Sequence, residues 1–214
     1  MKSHRVPLAY RIVMIVATPF VRWWGRLQVS GAELLDHPGP VVLFSNHDSQ
    51  WDPLVAGVAA PNRQIRALAK ASLWGNPIVS WVLDHMGQIP IERGRGDAAA
   101  LSRAIEELEA GACIGVFPEG TISRGRQMRA LSGAGRLALA VPTSRVIGLR
   151  IVGAVDIVRF PKRPRIRVEF FEPAAGQPHE GESATALTKR VMAEVRSSAP
   201  FALAGRKPTL PEAS

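Results

Sequence analysis

Four short apolar runs in this chain each end in a cluster of polar, chemically capable residues, and this repetition constrains the fold more than any other feature. Val41-Val42-Leu43-Phe44 leads into Ser45-Asn46-His47-Asp48-Ser49-Gln50-Trp51-Asp52, Ile65 to Ala69 into Lys70, Gln88 to Ile91 into Glu92-Arg93-Gly94, and Cys113 to Phe117 into Pro118-Glu119-Gly120-Thr121. Short apolar runs bounded by turn formers read as buried strands. Val146 to Ile151 and Ile166 to Phe170 supply two more. Residues 53–60, 71–85, 97–110 and 133–140 read as the helices between them. In the segment opening at Asp97, Leu101, Ile105 and Leu108 share one face, and Gly111 closes it. A last helix is expected over Ser183–Ser198 with Ser183 as its N-cap. Strands alternating with helices predict an α/β fold, with a mostly parallel central sheet flanked by helices. Ligands of such sheets bind beyond the carboxyl ends of the strands, where one histidine, several carboxylates, a lysine and an arginine would meet.

At 214 residues the chain is long enough for one domain with a real core. The expected division is an N-terminal amphipathic helix over 1–26, a catalytic domain over 27–202 and a flexible tail over 203–214. Residues 1–26 carry Lys2, Arg5, Arg11, Arg22 and Arg26 and no acid. The apolar run Ile12–Val21 contains Pro19 and is too short to span a bilayer. A signal peptide fits poorly, because Arg11 interrupts its core and bulky Trp23-Trp24 stands where small residues would precede cleavage. Those rings and arginines suit an anionic membrane surface, and the alternative is a helix packed on the domain's own core. The single cysteine, Cys113, lies in an apolar run and reads as a small buried residue.

His47 and Asp52 stand five residues apart. On one continuous helix that spacing puts them about 140° apart around the axis, so His47 must lie in the turn before a helix. Pro53 agrees, since proline favours the first helical position and Asp the cap before it. Asp52 can then hold one imidazole nitrogen and leave the other as a base, or merely cap the helix. No G-x-S-x-G elbow, H-E-x-x-H pair or G-x-x-x-x-G-K-[ST] loop competes.

Asn46-His47-x4-Asp52, Ile89-Pro90-Ile91-Glu92-Arg93, Phe117-Pro118-Glu119-Gly120-Thr121 and Val141-Pro142 resemble, in order and spacing, the four blocks of the glycerolipid acyltransferases, in particular the 1-acyl-sn-glycerol-3-phosphate acyltransferases. The resemblance covers roughly residues 25–172 and takes in Val29-x-Gly31 and Ala69-Lys70-Ala71. It implies transfer of a fatty acyl group from acyl-CoA or acyl-carrier protein to the free hydroxyl of 1-acyl-sn-glycerol 3-phosphate, giving phosphatidate. The alternative is another lysophospholipid, or glycerol 3-phosphate, as acceptor. It further implies His47 as general base with Asp52 as its partner. Arg93, Glu119, Gly120, Thr121 and Lys70 would hold the substrates, with no metal and no cofactor beyond the acyl donor. Glu119 cannot bind phosphate as an anion; it could take a glycerol hydroxyl or hold a neighbouring arginine in place. Ile122 departs from the commoner pattern of a polar or basic residue there. The implied location is the cytoplasmic side of the cell membrane, peripheral or monotopic.

The formal charge of +9 attracts polyanions. Arg159, Lys162, Arg163, Arg165 and Arg167 would suit nucleic acid electrostatically, but no RRM, KH or zinc-finger pattern accompanies them. Anionic headgroups are the expected partner, and nucleic acid is not.

Overall fold

The computed structural model describes residues 6–92 and 98–209. Its strands are Gln28–Ser30 (β1), Val41–Ser45 (β2), Ile65–Lys70 (β3), Ile89–Ile91 (β4), Cys113–Val116 (β5), Arg145–Val152 (β6) and Arg167–Phe171 (β7). Its α-helices are Leu8–Pro19 (α1), Asp52–Ala59 (α2), Pro77–His85 (α3), Ala98–Glu109 (α4), Gly133–Ala140 (α5) and Ala184–Ser198 (α6). The sheet runs β1-β7-β6-β2-β5-β3-β4. Strands β2 to β6 are mutually parallel, β7 is antiparallel to β6, and β1 pairs parallel with β7 at the edge. The six apolar runs are all strands. Gln28-Val29-Ser30 has no apolar run to reveal it, and becomes a strand only through its pairing with β7.

β2 is buried along its whole length, as a central parallel strand covered on both faces must be. Its side chains alternate between two cores. Val41 and Leu43 pack with Val55 and Ala59 of α2. Val42 and Phe44 pack on the other face with Ala104, Leu108, Leu137 and Leu187 from α4, α5 and α6. The result is three layers, helix on sheet on helix. Cys113 is enclosed in the first core, where burial pushes its thiol up to about 12.

The helix expected over 71–85 divides. Ala71–Gly75 forms a 3₁₀ turn, and Asn76 restarts the chain, its Oδ1 accepting the N–H groups of Ile78 at 3.0 Å and Val79 at 3.2 Å. Pro77 explains the break, because a residue before proline avoids the helical region. Ser183 caps α6 as expected, accepting the Ala186 N–H at 3.1 Å.

At the N-terminus α1 continues into a π-helical turn over Phe20–Trp24. One face belongs to the core: Val21 is wholly buried, and the Tyr10 hydroxyl accepts the Ile65 N–H at 3.3 Å. The contact with α2 requires Gly57, where a Cβ would stand 2.9 Å from Met14 Sδ. The other face is bare, with Leu8, Ile15, Val16 and Trp23 about 70 % exposed. Ile78 and Trp81 of the adjoining α3 are exposed as well. Among the described residues no helix is long and apolar enough to cross a membrane. The segment expected to be a flexible tail folds back in part, since Phe201 and Thr209 exchange backbone hydrogen bonds of 2.7 and 2.9 Å.

Candidate active site

β2 delivers the chain to the carboxyl edge of the sheet, and a loop runs from Asn46 to Trp51 before α2 begins. That loop is stitched to both neighbours of β2. On the β6 side the Asn46 amide exchanges bonds with the backbone of Ile151, Nδ2 to the carbonyl at 2.8 Å and Oδ1 from the N–H at 2.9 Å. On the β5 side, the His47 N–H donates to Glu119 Oε2 at 3.1 Å, and its carbonyl accepts the Ser123 N–H at 2.8 Å. Both backbone polar groups of His47 are thus fixed by the segment after β5.

Asp52 Oδ2 lies 3.1 Å from His47 Nδ1 and accepts the N–H groups of Asp48 and Ser49, each at 2.8 Å. The carboxylate therefore turns back over the loop and does not cap α2 forward, as the Asp-Pro pattern suggested. Trp51 holds the cap position without a side-chain bond. Asp52 Oδ1 is buried and has no partner among the described residues. Burial pushes the Asp52 carboxyl above the usual range, opposed by the hydrogen bonds from His47 and Ser49. A carboxylate on Nδ1 keeps the proton there and leaves Nε2 as the acceptor nitrogen of a neutral imidazole.

Glu119 is only 4 % exposed, and both its oxygens are engaged. Besides the His47 N–H, it receives Arg196 Nε on Oε1 and Arg196 Nη2 on Oε2, both at 2.6 Å. Desolvation pushes its carboxyl up, against the pull of Arg196. Gly120, at φ +70°, makes the turn that returns its N–H to the Phe117 carbonyl at 3.0 Å. Only glycine takes that conformation without steric cost. Thr121 follows it, exposed. Lys70 ends β3 beside Ile91 of β4 and is also exposed. Arg93 lies outside the described residues.

A cleft of about 540 Å³ opens against this edge, lined by apolar Leu68, Ile91, Val116, Phe117 and Leu131, with Arg129 among its polar groups. Phe117 belongs to both places. Its ring also lies against the His47 imidazole, with centroids 4.4 Å apart. The arrangement sets the His47 imidazole beside an apolar cleft, with Phe117 shared between them.

Asp48, Ser123 and Arg196 escape the motif reading. Arg196 was legible in one respect: Thr188, Met192 and Arg196 form a helical stripe beside the buried Leu187, Val191 and Val195. A cation on such a face must find acids inside.

A three-layer α/β fold with a histidine–aspartate pair at the carboxyl edge of its sheet has the layout of an enzyme. The chain belongs to the Acyltransferase family, whose sequence model matches residues 26–155. It is 37% identical over 124 residues to the 1-acyl-sn-glycerol-3-phosphate acyltransferase of Borreliella burgdorferi, covering 56% of this chain and 48% of that one. Over 153 residues it is 25% identical to the Bacillus subtilis enzyme of the same name, covering 72% and 66%. A lyso-ornithine lipid O-acyltransferase of Pseudomonas aeruginosa is 33% identical over 95 residues, 44% of this chain and 36% of that one. The chain spans about half the length of several curated relatives it matches. The crystal structure of the 1-acyl-sn-glycerophosphate (LPA) acyltransferase from Thermotoga maritima shares the fold, with a TM-score of 0.69 over 89% of this chain and 78% of that one, at 22% identity.

Proposed function

We propose that this chain acylates the free hydroxyl of 1-acyl-sn-glycerol 3-phosphate, taking the acyl group from acyl-CoA or acyl-carrier protein and releasing phosphatidate and free thiol. The observation that carries the reading is the 3.1 Å contact between His47 Nδ1 and Asp52 Oδ2, at the carboxyl edge of a sheet in a chain of this family. An alcohol is a weak nucleophile at neutral pH. His47 Nε2 takes the hydroxyl proton as the oxygen attacks the thioester carbonyl carbon; a C–O bond forms, the C–S bond breaks, and the imidazolium returns the proton to the thiolate. Such general-base help is worth about 10²–10⁴-fold. Asp52 steadies the imidazolium, and the apolar cleft beside Phe117 receives acyl chain. The reaction balances without a metal or a redox cofactor.

Arg93 follows the cleft-lining Glu92 in the chain and supplies a planar, permanently charged fork for the acceptor phosphate. Lys70, Gly120 and Thr121 complete the acceptor side. The bare face of α1, with Trp23 and the exposed α3 residues Ile78 and Trp81, rests on an anionic membrane where the lysolipid resides; Arg11 and Arg22 flank it. The cytosolic donors put that surface on the cytoplasmic side of the cell membrane.

The test is incubation of the purified chain with lysophosphatidate and a panel of acyl-CoA and acyl-carrier-protein donors, following thiol and lipid product together. Phosphatidate formed by the wild type and not by His47→Ala is the expected result. Thiol released without phosphatidate would mean hydrolysis and would overturn the reading.

A further inference from the structure

Arg196 sits far along the chain on α6, beyond the segment 26–155 that the family model matches, yet the residue is only 4 % exposed and its guanidinium reaches the loop that carries His47. All five of its N–H donors are used. Nε and Nη2 grip Glu119 as a fork, both at 2.6 Å. Nη1 and Nη2 reach Asp48 Oδ2 at 2.8 Å and Oδ1 at 3.2 Å, and Nη1 also donates to the Ala199 carbonyl at 3.1 Å. The plane rests over the Phe201 ring, 3.9 Å from its centroid. Asp48 is further held by the Ser123 hydroxyl and, at 3.4 Å, by the Ala202 N–H.

The two acids that Arg196 joins flank the base. Asp48 is the residue after His47, and Glu119 accepts the His47 N–H. Two buried carboxylates this close repel one another unless a cation lies between them. A lysine has three donors from a single point and cannot grip two carboxylates side by side, whereas the flat guanidinium does so without strain. None of these bonds reaches the cleft.

We propose that Arg196 is a positioning residue for the acyl-transfer reaction: through Glu119 and Asp48 it fixes the backbone of His47, and hence the angle at which the imidazole meets the acceptor hydroxyl. On this reading Glu119 acts with Arg196 as one unit and does not itself touch the acceptor. The proposal rests on His47 being the base.

The experiment uses the full chain and two readouts. In the first, histidine Hε1–Cε1 NMR spectra are recorded for wild type and Arg196→Gln, with the His47 peak assigned by its loss in His47→Ala. The His47 peak is expected to move while those of His37, His85 and His179 stay; an unmoved His47 peak in a folded variant overturns the proposal. In the second, transfer from acyl-CoA to lysophosphatidate is measured. Arg196→Gln and Glu119→Gln should each lower kcat about a hundredfold, the scale of a misplaced catalytic group. Acceptor KM should stay within about twofold, as expected for an interaction acting only in the transition state. The double variant should cost no more than either single one. An acceptor KM raised about tenfold with kcat kept would indicate direct substrate contact and overturn the proposal, as would additive losses. If Arg196→Gln does not fold, Arg196→Lys, which keeps the charge and loses the fork, is read in its place, and a folded Lys variant with wild-type kcat overturns it. Wild-type inactivity on lysophosphatidate would fail the substrate reading alone, because the NMR readout still decides the positioning claim.

Discussion

The Phe117 ring lies against the His47 imidazole with centroids 4.4 Å apart and planes 30° from parallel, so one side chain is at once part of the wall of the apolar cleft and the backing of the imidazole. Packing between such rings is worth about 0.5–1.5 kcal/mol beyond area burial. Phe117→Leu should keep the fold and lower kcat by about two- to thirteenfold, the same range expressed as a rate. Steady-state kinetics with a fixed acyl donor checks this, and an unchanged kcat would remove Phe117 from the imidazole's support.

Asp52→Asn should cost roughly 10²–10⁴ in kcat, because the amide cannot stabilise the imidazolium that forms as His47 takes the proton. Both KM values should change little. Saturating-donor kinetics against lysophosphatidate would show it, and a kcat within a factor of a few of wild type would refute the assignment.

The same substitution should leave Tm no lower than wild type at neutral pH. Burial raises the Asp52 carboxyl above its unfolded value, so the folded state binds that proton more tightly. Ionising it therefore works against folding at pH values above the folded pKa, and the cost fades as pH falls through that pKa. Calorimetry at neutral pH and at successively more acid pH should show any Tm advantage of Asp52→Asn shrinking as the pH falls. An advantage that grows toward acid would reverse the sign of the argument.

Arg93→Ala should raise the KM for lysophosphatidate about ten- to a hundredfold and leave the donor KM unchanged, the range of a lost hydrogen bond to a charged group. Titration of the acceptor at saturating acyl-CoA decides it; an unmoved acceptor KM would exclude Arg93 from the phosphate site.

Ile15→Glu or Trp23→Glu, both at strongly exposed positions, should weaken binding to anionic phospholipid vesicles at least tenfold while leaving Tm in place. Burying one large apolar side chain contributes about 1.5–3 kcal/mol, which sets that factor. Binding should also weaken as salt rises, because Arg11 and Arg22 are solvent-exposed. Vesicle sedimentation that does not distinguish the variants from wild type would refute the membrane face.

The strand pattern was legible because parallel strands covered on both faces must be apolar throughout, as β2 is. The position of the candidate site was legible because strand ends collect polar residues: Asn46 and His47 fall in the loop after β2, and Asp52 begins α2. Three things were hidden. The orientation of the Asp52 carboxylate depends on which N–H groups the loop presents, and a spacing of residues does not encode that. The pairing of Glu119 with Arg196 joins positions 77 residues apart, and no local pattern specifies which buried cation meets which buried acid. β1 stayed hidden for a related reason: its partner, β7, lies at the far end of the domain.

α1 is no leash. Tyr10 hydrogen-bonds the first residue of β3, Val21 is sealed in the core, and Gly57 takes α1 at close range on the helix that begins with Asp52. Asp52 and Gly57 are five residues apart on α2, an axial rise of about 7.5 Å. α1 and the helix that carries the Asp52 carboxylate are therefore joined by direct packing and not by a slack linker. The bare face of α1 and the carboxylate that holds His47 are thus borne by two helices in direct contact.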